Sequence, residues 1–199
     1  MKLKNSRLSL SIKKNFINRI EESRKDLDIL KKSESIKHLP KILLRILYSI
    51  NQGNKIIFCG NGGSAADAQH LAAELIAQFL NKKRRSIPAI SLTTNTSTIT
   101  AIANDIDFKN IFSRQIESLG KKNDISFCIS TSGKSQNILE ALKIAKKNKL
   151  ITVLMTGRKK IKNKNIDYQI NVTADRVDKI QEQHILIGHF ICEFLEQNF

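Results

Sequence analysis

The chain has 199 residues, 34 Lys and Arg against 18 Asp and Glu, a net charge of +16, and 41% hydrophobic residues. That length supports one domain with a core of its own, and no run of 18 uncharged apolar residues provides a membrane span. The basic residues are scattered over helix ends and loops, with two Tyr and no Trp for base stacking, so the charge reads as solvated surface with a bias toward anionic ligands rather than as a nucleic-acid footprint.

The first segment, "MKLKNSRLSLSIKKNF", is basic without an apolar core or a small-residue cleavage site, so a cytoplasmic location without a signal peptide is expected. Apolar positions Leu10, Ile17, Ile20 and Leu27 predict an amphipathic helix over 8–32. A second helix follows over 35–51 with an apolar stripe of Leu39, Ile42, Leu43, Ile46 and Leu47. Pro40 is expected near its first turn, where proline is tolerated. Residues 1–34 read as an oligomerisation helix ahead of a domain over 35–199.

From Lys55 the pattern alternates. Short apolar strands are expected at 55–59, 89–92, 124–130, 150–155 and 168–172. Helices are expected at 64–80, 98–104, 110–119, 136–148 and 177–196. Continuous apolar strands between amphipathic helices mean a parallel sheet covered on both faces. The expected fold is α/β, a three-layer α/β/α sandwich with a five-stranded parallel sheet behind two N-terminal helices. Cys59, Cys128 and Cys192 lie in apolar stretches without C-x-x-C spacing, as buried reduced thiols do.

Ligands of open parallel sheets sit at the carboxyl ends of the strands, and two loops there carry phosphate-type chemistry. Gly60-Asn61-Gly62-Gly63-Ser64-Ala65 satisfies G-x-G-x-x-G/A between a strand and a helix. The acidic residue a dinucleotide requires is absent, since the next strand ends Thr93-Thr94-Asn95. What is left is a turn whose bare N–H groups can approach a ligand closely. Ser130-Thr131-Ser132-Gly133-Lys134-Ser135 imitates the end of a P-loop, but Cys128 stands where the first glycine would be. Four hydroxyls at a helix N-terminus instead suit one phosphate monoester; a plain helix cap would need a single hydroxyl.

His70 and Glu74, four apart on a helix, share a face. Asp178, Gln181, Ile185 and His189 share one on the last helix. Two such faces could converge on a metal or an acid–base pair, and spacing alone leaves His184 and His189 as alternatives. His38 reads as surface.

The stretches "CGNGGSAADAQHLAAEL", "AIANDIDFKNIFSRQIESLG", "ISTSGKSQNILEAL" and "DKIQEQHILIGH" together resemble the sugar isomerase (SIS) domain, and within it the phosphoheptose isomerase family, over about residues 36–197. The resemblance implies conversion of sedoheptulose 7-phosphate to D-glycero-D-manno-heptose 7-phosphate, the first step toward activated heptose for lipopolysaccharide, by homotetramers whose active sites lie between subunits. It places sugar-phosphate contacts on Asn61, Gly62, Gly63, Ser64, Glu74, Asn104, Asp105, Ser130, Thr131, Ser132, Ser135, Asp178 and Gln181. It implies one zinc ion per subunit, on His70, Glu74, Gln181 and His189, and an acid–base pair of Glu74 and His189. Two departures stand out. Gln78 occupies the place of the family's arginine after the catalytic glutamate, with Lys82–Arg85 nearby, and "RKKIKNKN" replaces glycines after the fourth strand. The competing readings are a non-enzymatic SIS tetramer that binds the replication initiator, expected to lack Glu74 and His189, and a SIS protein for another sugar phosphate.

Overall fold

The computed structural model describes residues 2–199, with side chains from Leu8 onward. The elements run α1 (Lys2–Leu30), α2 (Glu34–Asn51), β1 (Ile56–Gly60), α3 (Gly63–Ile76), β2 (Ala89–Ser91), α4 (Thr96–Asp105), a 3-10 turn (Phe108–Asn110), α5 (Ser113–Leu119), β3 (Ile125–Ser130), α6 (Gln136–Lys147), β4 (Ile151–Thr156), β5 (Tyr168–Asn171) and α7 (Val177–Asn198). The five strands form one parallel sheet in the order β2-β1-β3-β4-β5. The chain reverses its direction of travel across the sheet between β1 and β3, which opens a crevice at their carboxyl ends.

Strand alternation divides the core in two. Ile56, Phe58, Ile125, Phe127, Val153 and Met155 point toward α2, α3 and α7. Ile57, Cys59, Cys128 and Leu154 point toward α4, α5 and α6. β1, β3 and β4 are buried along their whole length, so the sandwich reading holds. Cys59 and Cys128 face one another across paired strands with sulfurs 3.4 Å apart, and all three cysteines are free and buried.

Two expectations change. Pro40 lies in the second turn of α2, inside the helix and past the first-turn positions where proline is tolerated without loss. It is exposed, so the carbonyl that its missing N–H leaves unbonded lies near the solvent-facing side of the helix. α3 stops at Ile76, four residues short of the expected end, because the backbone amides of Phe79, Leu80 and Asn81 turn away to bond the Glu196 carboxylate on α7.

The second half of α1 docks on α7: Ser23 donates to Glu182 (2.9 Å), and Gln183 donates to the Asp26 carbonyl (3.2 Å). Farther toward its start, α1 leaves Leu8, Leu10, Ile12 and Phe16 at least 60% exposed. Among the described residues no helix is long and apolar enough to cross a membrane.

Candidate active site

The turn after β1 is built on glycine for two physical reasons. Gly62 sits at φ +55°, a conformation that side chains resist. A Cβ on Gly63 would land 2.9 Å from Cδ of Gln181 and closer still to its amide nitrogen. The Gln181 amide therefore lies directly over the first residue of α3. Ser64 is buried just behind it. Across the crevice, Asn61 and Asn137 of α6 exchange hydrogen bonds through both amides (2.9 and 2.8 Å), joining the glycine turn to the hydroxyl loop. Asn137, the second residue of α6, carries no motif, and nothing in the sequence distinguishes it; its burial shows only in the structure.

In the second loop Ser130 accepts from the amide of Gly133 (3.1 Å) and Ser132 from that of Lys134 (3.2 Å). Ser135 is the N-cap of α6 yet its hydroxyl makes no capping bond. Two hydroxyls thus shape the turn, while Ser135 and the half-buried Thr131 stay beside a helix N-terminus, where partial positive charge favours an anion.

The helix flanks converge. α3 and α7 run side by side in the same direction, so that Gly63 meets Gln181 at one level and His70 meets His189 two turns on. The Nε2 atoms of His70 and His189 are 2.7 Å apart, a contact in which one ring donates and the other accepts. Glu74 Oε1 lies 3.6 Å from His70 Nε2. Phe79 stacks on the His189 ring (centroids 5.4 Å, planes at 21°) while His70 meets it edge-on (5.0 Å, 70°). Of the two histidines that spacing leaves as alternatives, His189 is the one that meets His70, whereas His184 is fully buried, and burial pushes its pKa down to about 4 against a smaller opposing contact from the Thr156 backbone. Asp67, one turn before His70, has a buried, unpartnered oxygen, and burial raises its pKa.

The donor types, two imidazoles and a carboxylate with an amide, suit zinc. Their placement is that of a hydrogen-bonded pair: two imidazoles on one tetrahedral zinc would stand about 3.3 Å apart, and among the described residues no three His, Cys, Asp or Glu side chains form a ready ligand set. Gln181 lies about two turns, roughly 12 Å, from His189 along α7.

Other expected contacts lie elsewhere. Asp178 is gripped by Arg176 (2.7 and 3.0 Å) and by Arg19 of α1, which hold its carboxyl well below the usual range, Arg176 foremost. Asn104 and Asp105, bonded to each other at 2.7 Å, end α4 in the opposite helical layer, where Asp105 lines a cavity of about 470 Å³ with Thr94, Arg114 and Gln115. Gln78 is exposed. Arg84 and Arg85 are not free to replace a cation there: Arg84 pairs with Glu196, and Arg85 covers the Phe199 ring at 3.9 Å.

A family model described as the SIS domain matches residues 16–157. Phosphoheptose isomerases of Campylobacter jejuni and Helicobacter pylori are 43% and 44% identical, over 92% and 94% of this chain and 100% and 95% of theirs. The chain belongs to the phosphoheptose isomerase family of SIS-domain proteins. Solved phosphoheptose isomerases from Francisella tularensis and Neisseria gonorrhoeae share the fold at a TM-score of 0.84, with 30% and 34% identity over 92% and 94% of this chain and 97% and 99% of theirs.

Proposed function

We propose that the chain is an aldose–ketose isomerase that converts sedoheptulose 7-phosphate to D-glycero-D-manno-heptose 7-phosphate, the step that opens activated-heptose synthesis for lipopolysaccharide. The observation that carries the reading is the convergence of Glu74, His70 and His189 between α3 and α7, beside a crevice whose far wall is a loop of hydroxyls at a helix N-terminus.

In this mechanism the substrate phosphate is held by Thr131 and Ser135 with the positive end of α6, within a loop fixed by Ser130 and Ser132. That remote grip orients the carbonyl end of the sugar. Asn61, Gly62, Gly63 and Ser64 form the opposite wall, with Gln181 over it. The Glu74 carboxylate takes the proton from C1 while His189 protonates the C2 oxygen, giving a cis-enediol. Return of a proton to C2, with loss of the O1 proton to His189, completes the aldose. Phe79 and His70 hold the His189 ring in plane for both transfers.

The residues that would hold zinc are His70, Glu74 and His189; when bound, the ion would supply Lewis-acid polarisation at the C1 and C2 oxygens. We assign a homotetramer as the working form. Two observations support it: Asn104 and Asp105 lie in the layer away from Glu74, and α1 and α7 leave large apolar side chains uncovered, among them Leu10, Phe16, Leu186 and Phe190. A cytoplasmic location accords with a phosphorylated substrate.

The test is turnover of sedoheptulose 7-phosphate by purified protein, before and after chelation and zinc re-addition. Turnover supports the isomerase, and its loss and return with zinc supports the metal. Absence of turnover in every condition contradicts the reading.

A further inference from the structure

The twelve residues between α3 and β2 carry Arg84, which forms with Glu196 of α7 a buried ion pair that acid–base chemistry does not by itself require. Arg84 and Glu196 expose only 6% and 2% of their side chains, and Arg84 Nε lies 2.9 Å from Glu196 Oε2. A buried pair of this kind rarely repays its desolvation by attraction alone; here each partner has further work.

Glu196 accepts three consecutive backbone amides, Phe79 at 3.0 Å, Leu80 at 2.9 Å and Asn81 at 2.8 Å. Burial alone would raise its pKa, yet the Arg84 hydrogen bond and these amides hold the carboxyl below its ordinary value. The amide of Phe79 fixes where its ring lies, and that ring is stacked on His189. Arg84 reaches the other way. Its second terminal nitrogen donates to the Glu74 carbonyl, one of the last-turn carbonyls that α3 cannot satisfy internally, and its first donates to the Arg85 carbonyl at 2.9 Å. A cation at a helix C-terminus is also favoured by the dipole. One pair thus touches the backbone of Glu74 and the neighbour of His189.

We infer that Arg84 and Glu196 are a positioning pair for the reaction, setting Glu74 through its own carbonyl and His189 through the ring of Phe79. The inference rests on the acid–base reading above. Neither residue meets substrate. Their effect is on the geometry of two groups that must act on adjacent carbons, where displacement of the order of 1 Å costs about 100-fold in rate.

Three variants test it in the full-length protein, with kcat and KM measured separately and folding followed by circular dichroism. Arg84→Lys keeps a charge for Glu196 but lacks the planar fork that reaches two carbonyls at once. Phe79→Leu leaves the ion pair intact and removes only the stacked ring, and Phe79→Tyr keeps that ring. The expected result is a fall in kcat of about tenfold or more for Arg84→Lys and Phe79→Leu, with KM within about twofold of wild type. Phe79→Tyr retains the wild-type kcat. Should Arg84→Lys fail to fold, Phe79→Leu decides alone. Wild-type kcat in folded Phe79→Leu and Arg84→Lys proteins overturns the inference. Glu74→Gln, measured alongside, separates the two claims. If it is inactive while both positioning variants are fully active, only the positioning role falls. If it turns over normally, the acid–base reading falls and takes this inference with it.

Discussion

Replacing Gly63 by alanine separates the site from the fold. The new Cβ would lie 2.9 Å from Gln181 Cδ and nearer to its amide nitrogen, so Gln181 must swing away. The far end of a flexible side chain can do so at a cost of about 0.5–1.5 kcal/mol in rotamer strain. Against this, alanine in place of glycine at a helical position gains up to about 1 kcal/mol. The two nearly cancel, and stability is expected within about 1 kcal/mol of wild type. Gly60→Ala is the contrast. Its Cβ would meet the Ser64 carbonyl carbon at 2.6 Å, backbone that cannot move without opening the turn, so destabilisation of about 1–3 kcal/mol is expected. Urea unfolding and steady-state kinetics on sedoheptulose 7-phosphate read the two effects. Gly63→Ala should unfold near the wild-type midpoint while kcat/KM falls about tenfold, or 1.4 kcal/mol of transition-state stabilisation. Wild-type kinetics in Gly63→Ala would refute a role for the Gln181 amide at this wall, and a loss of stability as large as that of Gly60→Ala would refute the claim that Gln181 is free to yield.

Three further outcomes are expected. His184 has a folded pKa of about 4 against 6.5 unfolded, so the unfolded chain binds the extra proton between those values; this contribution is whole above pH 6.5 and is lost as pH falls toward 4, by up to about 3 kcal/mol. Urea midpoints at pH 4.5 and 7 should differ less in His184→Met than in wild type, and an equal difference would contradict the assignment. Cys59, Cys128 and Cys192 are buried, and burial pushes the Cys192 thiol up to about 12; a thiol reagent should label none of them in native protein and all of them in denaturant, whereas rapid native labelling would contradict that burial. Phe16→Lys and Leu10→Lys together, on the uncovered stretch of α1, should lower the mass found by light scattering from a tetramer; an unchanged mass would show that this face lies outside the assembly.

Much of the fold is legible in the sequence because it rests on local signals. The short apolar runs at Ile56 and Ile125, bounded by turn residues and rich in β-branched side chains, read as strands buried on both faces, and Gly62-Gly63 followed by a helix-period stretch reads as a helix start. The pairing of His70 with Glu74 follows from spacing alone. Other parts rest on contacts between distant residues, which no local pattern encodes. The end of α3 at Ile76 is set by Glu196, about 120 residues later in the chain. Asn61 meets Asn137 across 76 residues. Asp178 shares a helix face with His189 in the sequence, yet is drawn off by Arg19 from a helix that pattern reading treats as an appendage. Arg84 reads as one more member of a basic run, and only burial shows that it is committed to Glu196.

The most direct test of the central claim, that Glu74 and His189 exchange protons with the sugar, is single-turnover conversion of sedoheptulose 7-phosphate by wild type, Glu74→Gln and His189→Ala. The account predicts that each substitution slows the chemical step by about 100-fold or more, with the folded state retained. A Glu74→Gln protein that converts the sugar at the wild-type rate would contradict it.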